Sequence, residues 1–132
     1  MIAFDGALVA EMTEHARREF PNEACGLVAS AGGRPVKVFP MRNLDASPSR
    51  FRLDPREQLE VFEEIARAGW DLFAIFHSHP RTAAYPSETD RHLARYPDAF
   101  HVVVSLLDPD APEVRAFRLA GDAVAEEEVA VA

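Results

Sequence analysis

The densest chemistry in the chain is His77-Ser78-His79, followed by Asp90. In a strand, side chains two apart point to the same side, so both imidazoles can converge on one ion if the strand persists through them. A helix would separate them. Zinc takes imidazole nitrogens at about 2.0–2.1 Å, and a hydrolytic site needs a third protein ligand plus an open position for water. Asp90 can supply that third ligand. Such a centre also needs a base that takes a proton from bound water and hands it to the leaving amine. Glu23 is the candidate, because it stands just before the apolar run Ala24-Cys25-Gly26-Leu27, where a charge is poorly solvated unless paired or employed.

Each residue also has an ordinary structural reading. Histidines at a strand end fit an exposed loop. Ser87 and Asp90 fit a helix start, with Ser87 as cap and Asp90 in the first turn, where a carboxylate favours the helix dipole. Glu23 fits an exposed corner between a helix and a strand. For Asp90 the two readings are compatible, since a carboxylate fixed at a helix N-terminus beside a strand end is a rigid ligand.

The elements that must position these groups follow from the apolar pattern. Leu8, Val9, Met12, Ala16 and Phe20 predict an amphipathic helix from Gly6 to Phe20. Ala24 to Ala29, then Val36, Val38 and Pro40, predict a hairpin turning at Ala31-Gly32-Gly33, with Pro40 closing or edging its second strand. Phe51-Arg52-Leu53 predicts a brief strand. Asp54, Pro55 and Glu57 predict a helix start with a capping box, and Gly69 its stop. Leu72 to Phe76 predicts a central strand covered on both faces, leading straight into His77. Ser87 opens a short helix through Leu93 and Ala94. A buried strand from Phe100 to Leu107, a return from Val114 to Leu119 and a weaker strand from Val124 to Val131 complete the series. No repeat or linker interrupts it. The expectation is one domain over residues 1–132, of α/β class, a mixed β-sheet flanked by helices.

Composition removes several function classes. The chain has 132 residues, 48% hydrophobic and 27% charged, the balance of an ordinary soluble globule. With 22 acidic and 14 basic side chains its net charge is −8, which argues against a nucleic-acid partner. Lys37 is the one lysine, so a phosphate-binding G-x-x-x-x-G-K-[ST] loop is missing. Cys25 is the one cysteine, which excludes an internal disulfide and a Cys-rich zinc site and fits a reducing, cytoplasmic setting. No run approaches the ~20 apolar residues of a membrane span, and Met1 to Asp5 does not read as a targeting signal.

Other reactive side chains receive quieter expectations. His15, beside Arg17 and Arg18, reads as solvated, and His92 as an exposed helix residue near the cleft. His101 reads as a satisfied strand histidine, and Cys25 as an inert buried thiol rather than a nucleophile. Arg81, Thr82 and Tyr85 stand between the ligands, where they could touch substrate or simply be exposed. Glu126 to Glu128 read as a solvated face or a frayed end. There is no H-E-x-x-H, and one cysteine cannot build the P-C-x-x-C of the zinc deaminases.

Taken together, Glu23, His77-Ser78-His79, seven intervening residues and Ser87-Glu88-Thr89-Asp90 resemble the JAMM motif of the MPN+ zinc metalloproteases, a glutamate followed at a distance by H-[ST]-H-x7-S-x-x-D. Pro21-Asn22 before Glu23 and Pro80 after His79 resemble that family too. The resemblance implies the cytidine deaminase-like/MPN architecture. It implies that His77, His79 and Asp90 bind one zinc with water as fourth ligand, and that Glu23 accepts that water's proton. It implies that Ser87 donates to the oxyanion, a role competing with its capping for one hydroxyl. The implied reaction is hydrolysis of a peptide or isopeptide bond without an acyl-enzyme. Lacking large insertions, the chain resembles compact prokaryotic members, whose substrates are ubiquitin-like or sulfur-carrier proteins ending in Gly-Gly. A non-catalytic MPN scaffold and a peptidase for other small peptides are the alternatives.

Overall fold

The computed structural model describes residues 1–94 and 96–132. Strand β1 (Ile2–Phe4) leads into helix α1 (Gly6–Glu19), capped by Asp5, whose carboxylate accepts from the Ala7 amide at 3.0 Å. Strands β2 (Cys25–Ala31) and β3 (Arg34–Met41) form the expected antiparallel hairpin. Helix α2 (Pro55–Ala68) ends at Gly69, which takes the left-handed φ of 72° that a helix stop requires. Strand β4 (Asp71–His79), helix α3 (Glu88–Leu93) and strands β5 (Phe100–Ser105), β6 (Glu113–Ala120), β7 (Ala123–Glu127) and β8 (Val129–Val131) follow.

Among the described residues the main sheet has the order β3-β2-β4-β5-β6-β7. Only β4 and β5 run parallel in it, so the sheet is mixed, as expected. Pro40 lies on edge strand β3, where its missing N–H costs no ladder bond. The period-two alternation of β4 divides the core. Ala74 and Phe76 pack on the α1 side with Phe4, Met12, Val28 and Val102. Ile75 packs on the opposite side with Leu27, Phe39, Met41 and Ile65 of α2. His77 and His79 are in phase with Ile75 and therefore emerge on the α2 side. At Gly26 a Cβ would collide with the Phe39 carbonyl and the Phe76 ring, so β2 passes this point only with glycine.

Several expectations change. The segment read as one strand from Val124 to Val131 divides at Glu128, whose carbonyl accepts from the Ile2 amide at 2.8 Å. Beyond it β8 leaves the main sheet and pairs in parallel with β1, a three-residue strand too short to show a period. Phe51-Arg52-Leu53 forms one isolated bridge, Asn43 to Leu53, rather than a strand. Asp54 does cap α2, accepting from the Arg56 amide at 2.9 Å, but Glu57 closes no box. Its Oε1 accepts instead from the Arg42 amide at 3.0 Å and ties α2 to the chain leaving β3. His15 is buried, not solvated: its Nε2 lies 3.1 Å from both the Cys25 and Met41 carbonyl oxygens, so one N–H spans the two strands.

Candidate metal centre

Strand β4 holds its extended form through both histidines because β5 pairs with it as far as His79 and β2 as far as His77. His77 sits opposite Cys25 of β2 and Val103 of β5, and His79 opposite Ser105. The intervening Ser78 faces the other way. Its hydroxyl accepts from the Ala24 amide at 2.7 Å and its own amide donates to the Ala24 carbonyl at 2.9 Å. That double bond pins the chain just after Glu23 against the strand carrying the histidines.

Asp90 arrives from α3 by a capping box. The Asp90 amide donates to Ser87 Oγ at 3.0 Å, and the Ser87 amide donates back to Asp90 Oδ2 at 2.9 Å. The same Oδ2 lies 3.0 Å from His77 Nε2 and 2.9 Å from His79 Nε2, and the two Nε2 atoms are 3.2 Å apart. All three side chains are buried. They are the one group of three potential metal donors converging among the described residues.

The donor set fits a cation. His79 Nδ1 lies 2.8 Å from the Ala83 carbonyl, which can only accept, so Nδ1 carries a proton. In a neutral ring the His79 Nε2 then offers a lone pair toward His77 Nε2 and the Asp90 carboxylate. Such a cluster of acceptors is stable only with a proton or a metal ion among them. Three ligands of a tetrahedral zinc stand about 3.3 Å apart when each bond is about 2.0–2.1 Å, close to the spacing found here. Without a metal, a proton meets that need. Burial works against charge on His79, but the Asp90 hydrogen bond and the Ala83 carbonyl outweigh it and raise its pKa above the ordinary value. Burial likewise opposes charge on Asp90, and the hydrogen bonds from His77 and His79 overcome it, holding the carboxyl far below the usual range.

Glu23 is not an exposed corner residue: it is 3% exposed, and its Oε1 has no partner among the described residues. Burial, reinforced by the negative Asp90, raises its pKa from 4.5 to about 8, while His79 pulls the other way. Its backbone is held at both ends, the amide donating to the Ser47 carbonyl at 2.8 Å and the carbonyl accepting from Asn43 Nδ2 at 3.1 Å. Asn43 also donates to the Arg50 carbonyl and accepts from the Asp45 and Arg52 amides. One buried amide thus fixes both Glu23 and the loop before α2. Asn43 does not stand out in the sequence, where it reads as one more turn residue, and Ser78 appears there only as the Ser/Thr position of H-[ST]-H, with no role attached to it.

A cavity of about 410 Å³ opens beside the cluster, bordered by His77, Asp90, Phe51, Gln58, Tyr96 and His101 among others. His101 differs from the expectation. It is buried as expected, but its Nε2 has no partner among the described residues. Burial, with a smaller contribution from His77, lowers its pKa to about 4, so the ring is neutral near pH 7. Cys25 is fully buried and its thiol is pushed up to about 12 by burial and nearby carboxylates, which removes it as a nucleophile. His92 is exposed on α3, Arg81 lies over the Phe20 ring at 5.3 Å, and Tyr85 is half exposed against Phe117.

A mixed sheet flanked by helices is the fold of JAB/MPN domains. A JAB1/MPN domain protein of Archaeoglobus fulgidus, 20% identical, shares the fold at TM-score 0.65 over 99% of this chain and 98% of its own. The chain belongs to the Prok-JAB family, the prokaryotic homologs of the JAB domain, which residues 6–120 match. It is 47% identical over 126 residues to the CysO-cysteine peptidase of Mycobacterium tuberculosis, covering 94% of this chain and 86% of that protein. A desampylase of Haloferax volcanii is 34% identical over 128 residues, with 95% and 89% covered. The solution structure of a Desulfitobacterium hafniense protein, 40% identical, superposes at TM-score 0.91 over 100% of this chain and 93% of that one.

Proposed function

We propose that this chain is a zinc-dependent peptidase that cleaves the peptide or isopeptide bond at the C-terminal Gly-Gly of a ubiquitin-like or sulfur-carrier protein. The observation that carries the proposal is the convergence of His77 Nε2, His79 Nε2 and Asp90 Oδ2 beside the buried Glu23, whose Oε1 has no hydrogen-bond partner among the described residues. Family membership, and relatives named as a CysO-cysteine peptidase and a desampylase, support the substrate class. The burial of the lone cysteine agrees with a cytoplasmic compartment, and no described helix is long and apolar enough to cross a membrane. The chain works in this reading as a single JAMM/MPN+ domain.

His77, His79 and Asp90 would hold the zinc, which supplies an acidified water and polarises the scissile carbonyl. Glu23 would serve as the base that takes a proton from the attacking water and hands it to the leaving amine. In the metal-free chain burial holds this carboxyl up at about 8, and a cation held beside it would favour the carboxylate, whose unpartnered Oε1 can then accept a proton and give it up again. The tail of the carrier lies in the cavity beside His77 and Asp90, where glycines bring the backbone close to the cluster.

Ser87 donates to the oxygen of the tetrahedral intermediate. The capping hydrogen bond is compatible with this role. The cap uses a lone pair of Ser87 Oγ, which accepts from the Asp90 amide, and the hydroxyl hydrogen stays available. Three variants separate the roles. Ser87→Ala is expected to slow hydrolysis about 10²–10³-fold and to lower stability by about 0.5–2 kcal/mol through loss of the cap. Ser87→Gly, a tolerable cap without a hydroxyl, should be as slow while losing only a few tenths of a kcal/mol, and Ser87→Thr should retain both properties. Wild-type turnover by Ser87→Gly would remove the hydroxyl from the reaction.

Elemental analysis of the purified protein tests the enzyme reading against a scaffold of the same fold. One zinc per chain is the expected result, and a protein that takes up none after incubation with zinc and dialysis is a scaffold.

A further inference from the structure

The two histidines of the cluster are held in different ways. His79 has its ring fixed from behind by the Ala83 carbonyl, 2.8 Å from Nδ1. His77 has no counterpart: its Nδ1 is buried and has no hydrogen-bond partner among the described residues. A ligating imidazole normally gains its orientation from a hydrogen bond on the second nitrogen. What His77 has instead is a flat aromatic neighbour. The Phe51 ring lies 4.6 Å from it, centroid to centroid, with the planes 19° apart, a stacked pair.

We infer that Phe51 is a positioning residue for His77, fixing by stacking the imidazole plane that no hydrogen bond on Nδ1 fixes, so that Nε2 stays aimed at His79 and Asp90. Phe51 is well placed to do this. Its loop is anchored on both sides by the buried Asn43, which takes the Arg52 amide on Oδ1 and gives Nδ2 to the Arg50 carbonyl at 3.0 Å each. The next apolar residue, Leu53, bridges to Asn43 as well. The ring is therefore carried by a short segment tied to the amide that also holds the Glu23 backbone. Phe51 further lines the cavity in which the carrier tail lies, so one ring serves as a wall for substrate and as a brace for the ligand.

The inference rests on the reading of His77 as a zinc ligand, and its test is arranged so that the two fail separately. Zinc affinity is measured by competition with a chromophoric chelator on the metal-free protein, for wild type, Phe51→Leu, Phe51→Tyr and Leu53→Ala, each first checked for folding by circular dichroism and thermal melting. Leucine fills the space without a flat face, tyrosine keeps the face, and Leu53→Ala perturbs the same loop while keeping the Phe51 ring. Phe51→Leu is expected to bind zinc about tenfold more weakly, near the lower end of what loss of an outer partner costs a metal site, with the other two within threefold of wild type. The inference is overturned if Phe51→Leu binds like wild type, or if Phe51→Tyr or Leu53→Ala falls as far as Phe51→Leu. If wild type itself binds no zinc, the ligand reading fails instead.

Discussion

Glu23→Gln is expected to slow hydrolysis by about 10²–10⁴-fold, the usual contribution of a positioned acid–base group, and at the same time to stabilise the metal-free protein at alkaline pH. The two effects share one cause. Glu23 is buried beside Asp90, so in the folded chain it keeps its proton up to about pH 8, whereas the ordinary value is 4.5. Between those values the folded state binds more protons than the unfolded state, so the contribution of Glu23 to stability is full below 4.5 and is lost as pH rises through 8. Glutamine has no proton to lose. In denaturant titrations of the metal-free proteins, the variant should gain on wild type between pH 5 and pH 8.5 by an amount on the order of a few kcal/mol. A difference that stays constant with pH contradicts the buried-carboxyl account, and undiminished turnover contradicts the role of Glu23 as base.

The second large effect belongs to Asp90, whose Oδ2 meets both histidines and the Ser87 amide. Asp90→Ala removes a ligand and half of the capping box, so zinc binding, hydrolysis and the order of α3 should fall together. Asp90→Asn separates these losses, because its amide oxygen still accepts from the Ser87 N–H while the charge that neutralises the cation is gone. Both variants should lose zinc affinity by more than the roughly 10–100-fold typical of an outer partner. Thermal melting with and without zinc reads this directly. Wild type should melt higher in the presence of zinc, as any protein does with a ligand of its native state, and neither variant should respond. A zinc-dependent rise in Asp90→Asn equal to that of wild type would take the carboxylate out of the ligand set.

The convergence of the candidate ligands was legible in the sequence because local periods carry it. The strand period puts His77 and His79 on one side, and the Ser87–Asp90 spacing is a capping box that also aims a carboxylate. Glu23 gave a weaker signal, an acidic residue before an apolar run, and acquired meaning only in the company of the other four. What remained hidden depends on contacts between distant segments. His15 lies on α1 beside two arginines and looks solvated, yet the helix turns it onto the carbonyls of β2 and β3. No local pattern points to what Asn43, Ser78 and Phe51 do, and their contacts appear only once β2, β4 and the loop before α2 are brought together. Glu57 had the right spacing for a cap and was claimed by the Arg42 amide across the chain. The parallel pairing of β1 with β8 joins the two ends of the sequence, which no window can see.

Hydrolysis at the end of a carrier protein is read out by intact-mass analysis of the products. The zinc-loaded protein is incubated with a ubiquitin-like or sulfur-carrier protein from the same genome, prepared with an amino acid or peptide joined after its C-terminal Gly-Gly. The expected product is the carrier ending at Gly-Gly together with the released group, formed by wild type and not by Glu23→Gln. A fully loaded wild-type protein that leaves every such extended carrier intact contradicts the account.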